Sequence, residues 1–194
     1  MGKVSVAPRK RLSADDRRRQ LLSIGLSKLV DKPIQDLSMD EIAAEAGISR
    51  GLLFHYFPTK GDFYVECMAA AGRRILRTTR PDERDPGEDQ VRTMVSAMLE
   101  RIDRRRDFYL TLIQPSGDPR VAGIHENVRA VLTDRVMVAL DVPEGGRPVV
   151  QAWWAYVEDR ALAWTGAPAE ERVPTAEALV IHCCDALPAL LALS

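Results

Sequence analysis

The chain has 194 residues, with 27 Lys and Arg against 28 Asp and Glu and a net charge of −1. That length buries a substantial core in one large or two small domains, and no apolar run approaches the ~20 residues of a membrane span. The near-neutral total hides a split, because Lys3, Arg9, Lys10 and Arg11 meet no acid before Asp15 while the rest of the chain is acidic on balance. A basic front on an acidic body points toward a polyanion as the partner of the front half. Among the basic residues only Lys3, Lys10, Lys28, Lys32 and Lys60 are lysines, an arginine bias typical of GC-rich bacterial genomes. Cys67, Cys183 and Cys184 make no disulfide framework, and the first residues contain no apolar signal stretch; a reducing cytoplasm is the simplest expectation.

Helical periodicity runs through nearly the whole chain, with no strand-like alternation of useful length. Residues 1–12 read as a basic, flexible arm. Ser13 precedes acids and then Leu22, Leu26 and Leu29 on one face, which predicts a first helix to about Val30; Pro33 interrupts. Ser38 with Glu41 is a capping-box pattern, and Gly47 ends that short helix, since positive φ is cheapest for glycine. Ser49 caps the next helix and Pro58 stops it. Thr59 caps a longer one toward Arg77. The polar stretch 80–89, RPDERDPGED, reads as a hinge and a boundary. Further helices are expected at about 90–104, over FYLTLI, at about 120–140, at about 149–164 and at about 175–193, so the fold class is all-α with about nine helices.

The spacing in the front half carries the functional signal. A capped helix at 38–46, a turn on Gly47 and a second short helix from Ser49 describe a helix-turn-helix. The second helix of such a unit enters the major groove of DNA and reads base edges with its N-terminal side chains. Arg50 is the expected base reader, because its fork grips a guanine edge bidentately. Phe54 and Phe57 are expected in the core behind it, and the arm Lys3–Arg11 is expected along the flanking backbone or minor groove.

The segment LSMDEIAAEAGISRGLLFHYFPTKGDFY resembles the DNA-binding segment of the TetR (tetracycline-repressor-like) family, on Ser38, Ile42-Ala43, Ala46-Gly47-Ile48, Ser49, Phe54, Tyr56-Phe57 and Lys60. The resemblance covers about residues 13–65. It implies a DNA-binding domain at 13–65 and a helical ligand-binding and dimerisation domain at 66–194. It places Ser38, Ser49, Arg50, Gly51, Leu52, His55, Tyr56, Thr59 and Lys60 at the DNA, with Lys10 and Arg11 of the arm. Leu52 stands where Thr is common and Phe54 where Tyr is common, each removing a phosphate-bonding hydroxyl. The resemblance further implies a homodimer through the last two helices, a double-stranded operator, and a small apolar or amphipathic effector that relieves repression. The competing class is a helix-turn-helix dimer without small-molecule sensing, acting through a protein partner or as an architectural DNA binder.

In the back half, Trp153, Val157, Arg160 and Trp164 share one helical face. This is either an aromatic-lined ligand pocket with Arg160 or Glu158 as its polar anchor or, as the resemblance implies and with Leu187 and Leu191, the dimer interface. Met94, Met98, Phe108, Leu112, Ile113 and Tyr156 are the expected effector lining. His182, Cys183 and Cys184 point ~100° apart in succession on a helix, and no second ligand pair has metal spacing; no metal or cofactor is expected. His125 stands alone. No nucleophile–base order, phosphate loop or carboxylate pair rises above chance, so no enzymatic activity is expected.

Overall fold

The computed structural model describes residues 12–29, 36–113 and 118–193. Lys10, Arg11 and Pro33 lie outside them. Among the described residues there are nine α-helices and no strand: α1 Ala14–Lys28, α2 Met39–Ala46, α3 Arg50–Tyr56, α4 Lys60–Thr78, α5 Gly87–Arg104, α6 Arg106–Ile113, α7 Pro119–Ala139, α8 Arg147–Thr165 and α9 Ala176–Leu191. The chain divides into two compact units, Met1–Cys67 and Met68–Ser194. The division falls inside α4 and not in the polar 80–89 stretch. That stretch only joins α4 to α5, because hydrophilic composition marks a loop and not the place where contacts thin out.

The helix starts are set by local chemistry. Ser13 Oγ accepts the Asp16 N–H, Ser38 Oγ the Glu41 N–H, Ser49 Oγ the Leu52 N–H, and Thr59 Oγ1 the Asp62 N–H. Each satisfies one of the orphan donors of a first turn. Gly47 closes α2 at φ 66°, and its N–H reaches back to the Ala43 and Ala44 carbonyls.

The first unit buries Leu21, Leu22, Ile42, Leu53, Phe57, Phe63 and Cys67, with α1 against α2 and α2 against α3. In the second unit α5 packs on α7, α8 and α9, and α8 on α7 and α9, around Met94, Met98, Ile102, Leu132, Val136, Trp153 and Trp154. The Trp153 indole N–H donates to the Cys183 carbonyl at 2.7 Å, tying α8 to α9. Arg172 pairs with Asp103 at 2.6 Å and lies over the Trp164 ring, which fixes the loop before α9 onto α5.

Candidate nucleic-acid interface

The turn from α2 to α3 is built on Gly47 and the Ser49 cap, and α3 has little more than its own length to hold it. Two side chains anchor it. Leu53 is fully buried and Phe57 is 1% exposed, its ring meeting Phe63 of α4 edge-on at 4.9 Å. Phe54, expected in the core beside Phe57, is half-buried and carries the Arg50 guanidinium over its ring at 5.3 Å. The reason is the helical period. Positions 53 and 57 are one turn apart on the inner face, and position 54 is turned ~100° away.

The outer face of α3 is open. Ser49, Arg50, Gly51, Leu52, His55 and Thr59 are exposed, while Ser38, Tyr56 and Lys60 are half-exposed. Leu52 stands out as a large apolar side chain 41% exposed on a surface otherwise made of polar groups and glycine. Arg50 donates to Asp40 of α2 at 2.5 Å, and both side chains stay more than half exposed. The expected base-reading arginine is therefore paired with a carboxylate of the same domain.

Two residues that sequence reading passed over hold the motif in place. Arg17 and Arg18 were legible only as part of a charge run on α1. Arg17 donates to the Ala46 carbonyl at 3.1 Å, and Arg18 to the Tyr56 carbonyl at 3.2 Å. Each satisfies an orphan carbonyl at the C-terminal end of α2 or α3, where a cation also meets the negative end of the helix dipole. Arg18 further stacks over Phe57 at 4.6 Å and pairs with Glu66 at 2.9 Å. Lys28 joins Glu45 at 3.0 Å, binding α1 to α2 and raising the ammonium pKa through that hydrogen bond. A usable signal existed: α2 ends without a basic residue and α3 with only His55.

These pairings matter for electrostatics. Among the described residues up to Lys60, Arg17, Arg18, Arg19, Lys28, Arg50 and Lys60 are matched in number by Asp15, Asp16, Asp36, Asp40, Glu41 and Glu45. The positive excess of the front half thus resides in Lys3, Arg9, Lys10 and Arg11.

The residues expected to line an effector site are distributed unevenly. Met94, Met98, Phe108 and Leu112 are buried in the second unit, Ile113 is half-buried, and Tyr156 makes its contacts with His182 of α9 and Arg160. A groove of about 300 Å³ between α5 and α9, lined by Leu99, Trp164, Val180 and Ile181, includes none of the six. The expected dimer face needs correction. Trp153, Val157 and Leu187 are 0%, 2% and 1% exposed within the subunit's own bundle. Trp153 and Val157 of α8 and Leu187 of α9 are buried within one subunit, with Trp153 also hydrogen-bonded to Cys183 of α9, so of the six only Arg160, Trp164 and Leu191 retain exposure. His125, read as solitary, is part of a buried polar cluster. Its Nε2 lies 3.0 Å from Glu158 Oε1, which also accepts the Tyr109 hydroxyl at 2.6 Å, with Arg129 at 3.9 Å from the other oxygen. Burial first, then Glu158, pushes the Tyr109 phenol well above its ordinary value, so it remains a donor. Among the described residues no group of three or more His, Cys, Asp or Glu is placed to hold a metal ion.

A capped helix pair, a left-handed glycine turn and an anchored second helix with an open polar face make the first unit a helix-turn-helix domain. Residues 22–67 match the family described as "Bacterial regulatory proteins, tetR family". The match covers the helix-turn-helix segment of the first unit, so that segment is of the TetR type. It is 29% identical over 135 residues to the HTH-type transcriptional activator FasR of Mycolicibacterium smegmatis, a match covering 65% of this chain and 59% of that protein. It is 44% identical over 50 residues to the HTH-type transcriptional regulator EthR of Mycobacterium tuberculosis, covering 26% of this chain and 23% of EthR. In fold it is similar to a tetR-family transcriptional regulator from Streptomyces coelicolor, with a TM-score of 0.79 at 24% identity over 94% of this chain and 83% of that one. A putative transcriptional regulator from Pseudomonas aeruginosa PAO1 gives 0.75 at 22% identity over 94% and 93%. Each of these relatives and structural neighbours is described as a transcriptional regulator.

Proposed function

We propose that this chain is a transcriptional repressor that binds a near-palindromic operator as a homodimer and is released by a small apolar or amphipathic effector. The observation that carries the reading is α3, whose inner side chains Leu53 and Phe57 are buried while Arg50, Gly51, Leu52 and His55 face solvent. A two-fold dimer offers two such helices to successive major grooves ~34 Å apart or a multiple of that. Arg50 reads a guanine edge, Ser38, Ser49, Tyr56, Thr59 and Lys60 position the domain on phosphates, and the arm with Lys10 and Arg11 supplies most of the non-specific attraction.

Dimerisation is assigned to the exposed sides of α8 and α9. What supports it is the apolar character of exposed positions on α9, where Ile181 and Leu190 are 39% and 38% exposed beside Ala178 and Ala189. The effector is assigned to the interior of the second unit, with Met94, Met98, Phe108 and Leu112 as apolar wall and Tyr109, His125, Arg129 and Glu158 as the convergent polar groups that orient it. Its leverage on DNA equals its differential affinity for the operator-competent and incompetent conformations. The name of the FasR relative, an activator, favours a second reading in which the same operator binding recruits transcription. The position of the operator relative to its promoter decides between the two.

The test is selection of bound sites from a random duplex pool by the purified full chain, followed by anisotropy on the recovered site. A two-fold symmetric site is expected, and Arg50→Ala should weaken it by about 1–3 kcal/mol while sparing unrelated DNA. Equal loss on all sequences would contradict base reading. Removing residues 1–12 should lower the slope of binding against salt; an unchanged slope makes the arm a bystander.

A further inference from the structure

The polar cluster at Glu158 is internally satisfied, but a second charged cluster in the same unit is not. Arg74 of α4, Arg101 and Arg104 of α5 and Arg105 at the end of α5 surround a cavity of about 220 Å³, with Thr78 and Glu100 completing its wall. Arg104 is accounted for, since it pairs with Glu100 at 2.7 Å and donates to the Glu100 carbonyl. Among the described residues, the guanidiniums of Arg74, Arg101 and Arg105 have neither an ion pair nor a hydrogen bond. The single carboxylate lining the cavity is the one Arg104 already holds.

This arrangement is costly unless something else binds there. Like charges gathered in one concavity repel, and the half-buried Arg101 and Arg105 lose hydration that no protein partner replaces, while Arg74 stays exposed. Burial is the first cause that pulls the Arg101 pKa down to about 10, followed by the neighbouring charges of Arg74 and Arg105. The C-terminal dipole of α5 favours cations at Arg101 and Arg104, but it reaches neither Arg74 on another helix nor the deficit of counter-charge. Three guanidiniums lining one small space supply the positive charge and the donors that a tetrahedral oxyanion takes. The volume is below the ~300–1,000 Å³ of pockets that enclose drug-sized molecules, so the cavity accommodates a charged head group and not a whole organic ligand.

We propose that the cavity bounded by Arg74, Arg101 and Arg105 is an anion site of the second unit that binds a phosphate group, either free or carried by a phosphorylated metabolite. Arg74, Arg101 and Arg105 donate to the phosphate oxygens, while Arg104 stays on Glu100. The site is separate from operator reading and does not depend on it.

Isothermal titration of the full chain with inorganic phosphate, pyrophosphate and glycerol 3-phosphate at low salt tests this, with sodium chloride at matched ionic strength as the blank. Saturable binding of at least one phosphate compound is expected, weakened at least about tenfold by Arg101→Gln and by Arg74→Gln or Arg105→Gln. A tighter glycerol 3-phosphate identifies a metabolite ester as the source, and equal or tighter inorganic phosphate identifies the free anion. Should Arg101→Gln fail to fold, Arg74→Gln and Arg105→Gln carry the test, because Arg74 is exposed and Arg105 half-exposed. Heats no larger than the salt blank, or affinities unchanged in all three variants, overturn the proposal. So does loss of affinity for random duplex DNA in these variants without saturable phosphate binding, which would assign the cluster to nucleic acid.

Discussion

Gly25→Ala is expected to destabilise the first unit even though alanine favours a helix interior by about 1 kcal/mol over glycine. A Cβ at position 25 would stand 2.5 Å from Phe63 Cζ and 2.7 Å from Cys67 Sγ. Normal carbon contacts need ~3.5–4.0 Å, so the overlap is about an ångström. Phe63 and Cys67 are fully buried, and the Phe63 ring lies edge-on against Phe57. Phe57 in turn sits beneath Arg18, which holds the Tyr56 carbonyl. The ring therefore cannot yield without moving the end of α3. Overpacking of this kind costs about 1–3 kcal/mol. Set against the helix-propensity gain, the net loss is up to about 2 kcal/mol, and operator affinity should fall with it because Phe57 sets the pose of α3. Gly51→Ala is the internal control. Its Cβ meets nothing within 4 Å, and removing glycine's unfolded-state freedom should stabilise by about 0.4–1 kcal/mol. Urea unfolding followed by far-UV circular dichroism measures both. A Gly25→Ala midpoint at or above wild type would refute the claim that α1, Phe63 and Phe57 form one rigid support.

Tyr109→Phe removes the 2.6 Å hydrogen bond to Glu158, and a bond to a charged partner is worth about 1.5–3 kcal/mol; thermal melts should show a drop of several degrees, and a change below about 0.5 kcal/mol would mean the cluster contributes little. The thiols give a pH prediction. Burial pushes Cys67 up to about 12 and Cys183 and Cys184 up to about 11, whereas unfolded thiols titrate near ~8.5. The folded chain then keeps protons that the unfolded chain loses, so stability is unaffected at neutral pH and declines as pH rises from about 8.5 toward 11–12; a melting temperature flat from pH 8 to 11 would contradict it. Leu52 should read the methyl group of a thymine, since apolar side chains contact that group in the major groove. Replacing operator thymines one at a time by deoxyuridine should locate a position where affinity falls for wild type and not for Leu52→Ala; uniform effects on both would remove Leu52 from the readout.

What was legible in the chain is local. Ser13, Ser38, Ser49 and Thr59 each cap the helix their position predicts, and Gly47 adopts the left-handed turn. Such features depend on neighbours three or four residues away. What escaped depends on partners far along the chain. Arg18 meets the Tyr56 carbonyl across 38 positions, and His125 meets Glu158 across 33. Trp153 shows the same limit in another form: periodicity places it on a face with Val157, but only the position of α9 decides that this face is interior. The anionic deficit around Arg101 also required three dimensions, since Arg74 lies on a different helix from the arginines at the end of α5.

The resting place of Arg50 follows from magnitudes. Its ion pair with Asp40 is 60% and 63% exposed, and exposed pairs contribute about 0–1 kcal/mol. A bidentate contact to a guanine edge is worth about 1–3 kcal/mol of discrimination. Exchange of the carboxylate for a base is therefore favourable on the right sequence and close to neutral or unfavourable on a wrong one, where Arg50 does better on Asp40. The pair acts as a threshold. Asp40→Ala should strengthen binding to the operator by up to about 1 kcal/mol and to unrelated DNA by less, widening the ratio between them, because Arg50 then gives up no ion pair to reach a guanine; an equal gain on both DNAs would refute the exchange.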